Sequence, residues 1–159
     1  MNDAIRIAYE IAYGQLRSQK SDLQFFRGQA AFAAAISGLV ATFFAGFLGG
    51  KLVGGEQAVF FGLSFPGLLG FSFFGFSIGC AVKAFMDWRT CKFDLNPLTA
   101  LHYAEHELPY EDLLKVLASD ADKYFDENEK IITDVRHYLG MALLSGWCQI
   151  PAWLAVVLE

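Results

Sequence analysis

Ala30–Gly50 is a run of twenty-one residues without a charge, and it decides what this chain can fold into. Small side chains recur through it every fourth residue in two interleaved rows. One is Ala30, Ala34, Gly38, Thr42, Gly46 and Gly50; the other is Ala33, Ser37, Ala41, Ala45 and Gly49. Phe32, Ile36, Leu39, Val40, Phe43 and Phe47 fall on the other side of a 3.6-residue turn. At about 1.5 Å per residue such a helix is about 32 Å long, enough to cross a bilayer core. Its smooth side lets a second backbone come close, which is how helices associate where lipid is as apolar as they are.

Two further uncharged runs follow, Ala58–Val82 with twenty-five residues and Tyr138–Leu158 with twenty-one. Each exceeds the eighteen or so residues that mark a spanning helix. The soluble alternative is a bundle with three wholly buried helices, and 159 residues are too few to surround them. The expected fold is an all-α membrane protein: three transmembrane helices with cytoplasmic helical extensions. The divisions are an N-terminal cytoplasmic amphipathic helix over 1–27, spans at 28–50, 58–85 and 138–158, and a cytoplasmic helical segment over 86–137. The first apolar run starts after nearly thirty residues of both charge signs and is longer than a signal peptide's apolar core, so it reads as a retained span. Cys80 and Cys148 lie in apolar runs and Cys91 just past one, a pattern of reduced thiols rather than a disulfide framework.

Basic residues set the expected orientation. Arg6, Arg17, Lys20 and Arg27 precede the first span, and only Lys51 lies in the short loop after it. Lys83, Arg89 and Lys92 follow the second, and Lys130 and Arg136 precede the third. These place the N-terminus and the middle segment in the cytoplasm and Glu159 outside.

Residues 3–27 carry a heptad seam, Ile5, Tyr9, Ala12, Leu16, Gln19, Leu23 and Phe26, that leads straight into the first span. The mixed charges Asp3, Glu10 and Asp22 on its other side favour a stalk paired with another helix over a helix lying on lipid. The loop 51–57, KLVGGEQ, is a tight turn; its glycines lack the spacing and the Ser or Thr of a phosphate loop. In the second span Ser64, Ser72, Gly75 and Gly79 make a small seam, and Pro66 is expected to bend the helix near Gly62.

The segment from Lys83 to His137 holds seven basic against twelve acidic residues, a net charge of −5 that argues against nucleic acid as a partner. Asn96-Pro97 starts a short helix reaching about Glu107, and Pro109 starts a longer one with Glu111 and Asp112 in its first turn. Its apolar line, Leu113, Leu117, Ala121, Tyr124, Ile131, Val135 and Tyr138, is interrupted by Asn128 and continues into the third span. Gln19 and Asn128 each lie about ten residues from a span, where a polar seam residue can fix register and oligomeric state. Simple exposure is the alternative. In the third span Ala142 and Gly146 have small-xxx-small spacing, and Gln149 is the large polar side chain of the spans. It either hydrogen-bonds to another helix or lines a water-filled path.

His102-Tyr103-Ala104-Glu105-His106 fits H-x-x-E-H, two imidazoles one helical turn apart with a carboxylate between. Zinc catalysis also needs a third ligand and an enclosed cleft, for which about fifty residues offer little material. No phosphate loop, nucleophile elbow or Cys-His pair with a recognisable context is present, and the three uncharged runs that make the spans leave no Asp, Glu, Arg or His, and Lys83 only at the end of the second, for ion-coupled transport. The expectation is therefore no enzyme, no catalytic or metal residue and no cofactor.

Tyr124-x-x-x-Asn128, Lys130 and Arg136 leading into Tyr138–Leu158, with the small-residue face of the first span, resemble the small bacterial membrane effectors of antiphage defence, the SLATT-type and related group. The resemblance is one of architecture. It implies a protein of the bacterial inner membrane that forms homo-oligomers and permeabilises the bilayer when an upstream sensor fires. The helix-packing and oligomer residues expected are Ala34, Gly38, Thr42, Gly46, Gly75 and Gly79. Gln19, Asn128 and Gln149 are the expected register or polar-path residues. The partners are the lipid bilayer, further copies of the chain and a cytosolic protein or sensor. The alternative is a non-conducting scaffold that recruits a cytosolic partner through its acidic helices. What Gln149, Ser72 and Ser77 face separates the two.

Overall fold

The structure, a computed structural model, describes residues 3–52, 64–86 and 91–158, with side chains for all of these except 48–52. The turn at 51–57, the first residues of the second apolar run, Trp88, Arg89 and Glu159 lie outside the described side chains. Among the described residues the chain is all α-helical: α1 (Asp3–Leu52), α2 (Phe65–Phe85), α3 (Pro97–Glu105) and α4 (Tyr110–Leu158). α1, α2 and α4 are each long and apolar enough to cross a membrane. α1 and α4 hold 50 and 49 residues, so each runs about 75 Å without a break.

The helix ends follow from local chemistry. Ser64 caps α2, its hydroxyl accepting from the Gly67 N–H at 3.4 Å, and Pro66 sits in the first turn. At that helix start a missing N–H costs nothing, because the donor has no intrahelical partner, and the bend expected near Gly62 lies outside the described residues. Asn96 caps α3 by accepting from the Leu98 N–H at 3.0 Å. α3 stops two residues earlier than expected. Glu107 takes a left-handed φ of 51° there, so that Leu108 N–H reaches the Tyr103 carbonyl and Glu107 N–H the Ala104 carbonyl. This is a Schellman ending on a non-glycine residue. Pro151 lies inside α4 and removes the N–H that would pair with the Trp147 carbonyl.

The helices build two compact units. A charged unit comprises Met1–Phe25 and Trp88–Asp134, and an apolar unit comprises Phe26–Asp87 and Val135–Glu159. In the charged unit Leu16, Gln19 and Leu23 of α1 are buried, as the heptad seam requires. From α4 the buried residues there are Leu114, Ala121, Asn128 and Ile132, a line displaced by one residue from the expected one at Leu113 and Ile131. The core of the apolar unit is made chiefly of small residues: Ala30, Ala33, Ser37 and Ala41 of α1, Ser77, Cys80, Ala81 and Ala84 of α2, Ala142 and Ser145 of α4. Trp153 and Val156 close one part of it, against Val40, Phe44 and Ala45.

Candidate functional site

Polar side chains meet at the centre of the apolar unit, one from each long apolar helix. Ser77 of α2 donates to the Ala142 carbonyl of α4 at 2.8 Å, which uses its single proton. The 2.8 Å contact between Ser37 and Ser77 is therefore donated by Ser37 of α1. Ser145 donates to the Met141 carbonyl at 2.7 Å and also reaches the Ala142 carbonyl, at 3.2 Å. Gly146 admits this arrangement, since a Cβ there would stand 3.0 Å from Ser37 Oγ and 3.5 Å from Ser77 Oγ.

Gln149 lies beside this relay, its Nε2 3.9 Å from the position of a Gly146 Cβ. The side chain is wholly buried, and among the described residues neither Oε1 nor Nε2 has a hydrogen-bond partner. One turn on, Trp153 is also wholly buried, its Nε1 without a hydrogen-bond partner among the described residues. Its ring is held by Phe44, stacked at 6.1 Å, and by the edge-on Phe71 at 4.9 Å. Gly70 faces it so closely that a Cβ would fall 2.8 Å from the indole. Ser37, Gly146 and Ala142 also form the floor of a half-open groove of about 280 Å³, walled by Phe32, Ile36, Leu143 and Trp147.

The expected packing row behaves differently from its neighbour. Ala33, Ser37 and Ala41 of the neighbouring row are buried, whereas the expected row is buried at Ala30, half-buried at Gly38 and exposed at Thr42 and Gly46. Ala34 packs against the cluster of Cys80, Ala81 and Ala142. Thr42 donates back to the Gly38 carbonyl at 2.8 Å. Among the described residues a Cβ at Gly38, Gly46, Gly75 or Gly79 would meet nothing within 4 Å, so these glycines leave open space beside them. Ser72 is exposed and bonds back to the Leu68 carbonyl.

Gln19 and Asn128 belong to the charged unit and have separate tasks. Gln19 Nε2 donates to the Phe125 carbonyl at 3.1 Å and to Glu129 at 3.0 Å, which fixes the register of α1 against α4 within one chain. Asn128 accepts from Lys92 N–H at 2.9 Å and donates to the Lys92 carbonyl at 2.8 Å, holding the segment before α3 at both backbone groups. Lys92 Nζ then pairs with Glu127 at 3.1 Å and sits 5.2 Å from the centre of the Tyr124 ring.

Ser145 and Trp153 are not among the residues expected at the site, and Ser37 is expected only as one of a row. The signal in the sequence is the serine that each long apolar helix carries among its small residues, although α2 carries Ser72 as well as Ser77. Among the described residues, no three His, Cys, Asp or Glu side chains gather in a way that could hold a metal. Comparison with protein-family models, curated proteins and solved structures gives no match.

Proposed function

We propose that the chain is an oligomeric effector of the bacterial inner membrane, with its N-terminus in the cytoplasm, that permeabilises the bilayer when its cytoplasmic helices are engaged. The observation that carries this reading is the Gln149 amide, buried and without a partner among the described residues, inside helices suited to a membrane. Leaving a buried amide unpaired costs about 1–3 kcal/mol, so the arrangement holds free energy that a wetter, rearranged one would release. The uncovered glycines 38, 46, 75 and 79 supply the surface on which further copies pack closely. A role in antiphage defence comes from the resemblance alone.

The test is induced expression, with and without the neighbouring genes, while membrane potential and growth are recorded. Rapid depolarisation that Gln149→Leu or Gly38→Ile abolishes is the expected result. An unchanged potential in every condition sinks the proposal. A non-conducting scaffold is the second reading, favoured by α3, which exposes Leu98 and Leu101 and buries no residue. Capture of a defined cytosolic partner without any depolarisation would select it.

A further inference from the structure

The motif on α3 is absorbed neither by the apolar unit nor by the proposed permeabilisation, and its geometry is specific. His102 and His106 lie one turn apart, both exposed, with ring centres 4.2 Å apart and planes tilted by 43°. His106 Nδ1 is 2.9 Å from the His102 carbonyl oxygen. A carbonyl can only accept, so Nδ1 carries a proton, and in the neutral ring Nε2 then presents its lone pair. Metal-bound imidazoles are oriented in this way, by giving the other ring N–H to a backbone carbonyl. Two imidazoles sharing a tetrahedral ion at about 2.0–2.1 Å hold their ring centres about 5 Å apart, within reach of small rotations of exposed side chains.

We infer that His102 and His106 form a two-imidazole site for a divalent transition metal of the zinc type, with water in the remaining positions. Imidazole selects Zn²⁺, Cu²⁺ and Ni²⁺ over Mg²⁺ and Ca²⁺, which prefer oxygen. Two protein ligands leave the ion exchangeable, so the site is a clip rather than a catalytic centre. The clip closes over the last turn of α3, a helix of nine residues, too short to hold its shape by propensity alone. That turn is also the one that ends on the left-handed Glu107. The bound ion therefore tightens the backbone from 102 to 108.

The experiment uses the full chain in detergent, purified without a histidine tag and titrated with Zn²⁺ in a calorimeter. One ion per chain is expected, and His102→Ala or His106→Gln should weaken binding by at least about tenfold. Glu105→Gln and His137→Ala should bind as the parent does. Hydrogen exchange of the amides from 102 to 108 should slow with Zn²⁺ in the parent and not in His106→Gln. Equal binding by the parent and the His102→Ala/His106→Gln double variant would overturn the site, as would binding that leaves exchange in 102–108 unchanged. Loss of binding in Glu105→Gln would replace the two-ligand assignment with a three-ligand one.

Discussion

The charged and apolar units satisfy the same polar chemistry by opposite means. In the charged unit long side chains do the pairing: Gln19 reaches Phe125 and Glu129, and Asn128 holds Lys92 at both backbone groups. In the apolar unit the pairing is done by serines that hardly extend beyond the backbone, Ser37, Ser77 and Ser145. The cores are likewise reversed. Leu16, Leu23, Leu114 and Ile132 fill the charged unit, while the apolar unit buries mostly Ala and Ser and turns bulk outward, with Phe43 66% and Trp147 72% exposed. Water drives large apolar groups inward, whereas lipid accepts them and leaves close backbone contact as the source of helix affinity. Gln149 breaks the pattern, for it is a long amide placed in the unit that otherwise uses hydroxyls.

The largest effect is expected where the small-residue core is filled. Gly70→Val places carbon 2.8–3.1 Å from three atoms of the Trp153 ring, which is itself pinned by Phe44 and Phe71. Overpacking of this kind costs about 3 kcal/mol, and thermal unfolding in micelles should show it as a large loss for the apolar unit. The Cβ that Gly38→Ile adds meets nothing within 4 Å among the described residues of its own chain. The substitution should leave that unfolding within about 0.5 kcal/mol while removing higher species in membrane cross-linking. If Gly38→Ile unfolds the unit as Gly70→Val does, the uncovered surface is not uncovered.

Much of this division is legible in the sequence. Uncharged runs identify the three apolar helices, and the four-three spacing from Ile5 to Leu23 identifies the seam of α1. The choice between the two small rows is not legible. Ala33, Ser37 and Ala41 are as small as Ala34, Gly38 and Thr42 and lie one residue away, so only the placing of α2 and α4 decides which row is covered. The task of Asn128 is hidden for a related reason. Its partner is the backbone of Lys92, and no periodicity announces where an irregular segment will pass. Pro66 is a matter of local chemistry: Ser64-Phe65-Pro66 carries a cap and a first-turn proline, a helix start set inside a longer uncharged run.

The two amides sharpen the comparison at an intermediate scale. Asn128→Leu leaves the Lys92 N–H and carbonyl without their partner, and the charged unit should lose about 1–3 kcal/mol. Gln149→Leu removes an amide that has no partner to lose, at nearly the same volume, and the apolar unit should gain about 1–2 kcal/mol. Opposite signs in micelle unfolding, read by hydrogen exchange in each unit, are the expected result. A loss in Gln149→Leu would mean that the amide is bonded, and the stored free energy behind the proposed function would vanish. Combined with the depolarisation assay, the gain would mark Gln149 as a residue that weakens the fold while serving activity.

The smallest effect tests whether side-chain charge or backbone pairing holds the segment before α3. The Glu127 carboxyl is held below the usual carboxylate range, first by the hydrogen bond from Lys92, and the Lys92 ammonium is raised, first by the same bond and then by the charge of Glu127. For Glu127 the stabilisation is complete above its unfolded value of about 4.3 and lost as pH falls through the lowered folded value. For Lys92 it is complete below its unfolded value of about 10.4 and lost as pH rises through the raised folded value. Protection of the amides near Lys92 should therefore be level from about pH 5 to 10 and dip beyond both ends. Both side chains are about half exposed, at 54% and 43%, so salt should shrink the dips further. Glu127→Gln should erase the acid dip and leave the level region intact, because the two Asn128 bonds to the backbone do not titrate. If Glu127→Gln lowers protection across the whole range, the ion pair rather than the asparagine holds the segment, and the charged unit relies on charge more than its hydrogen bonds indicate.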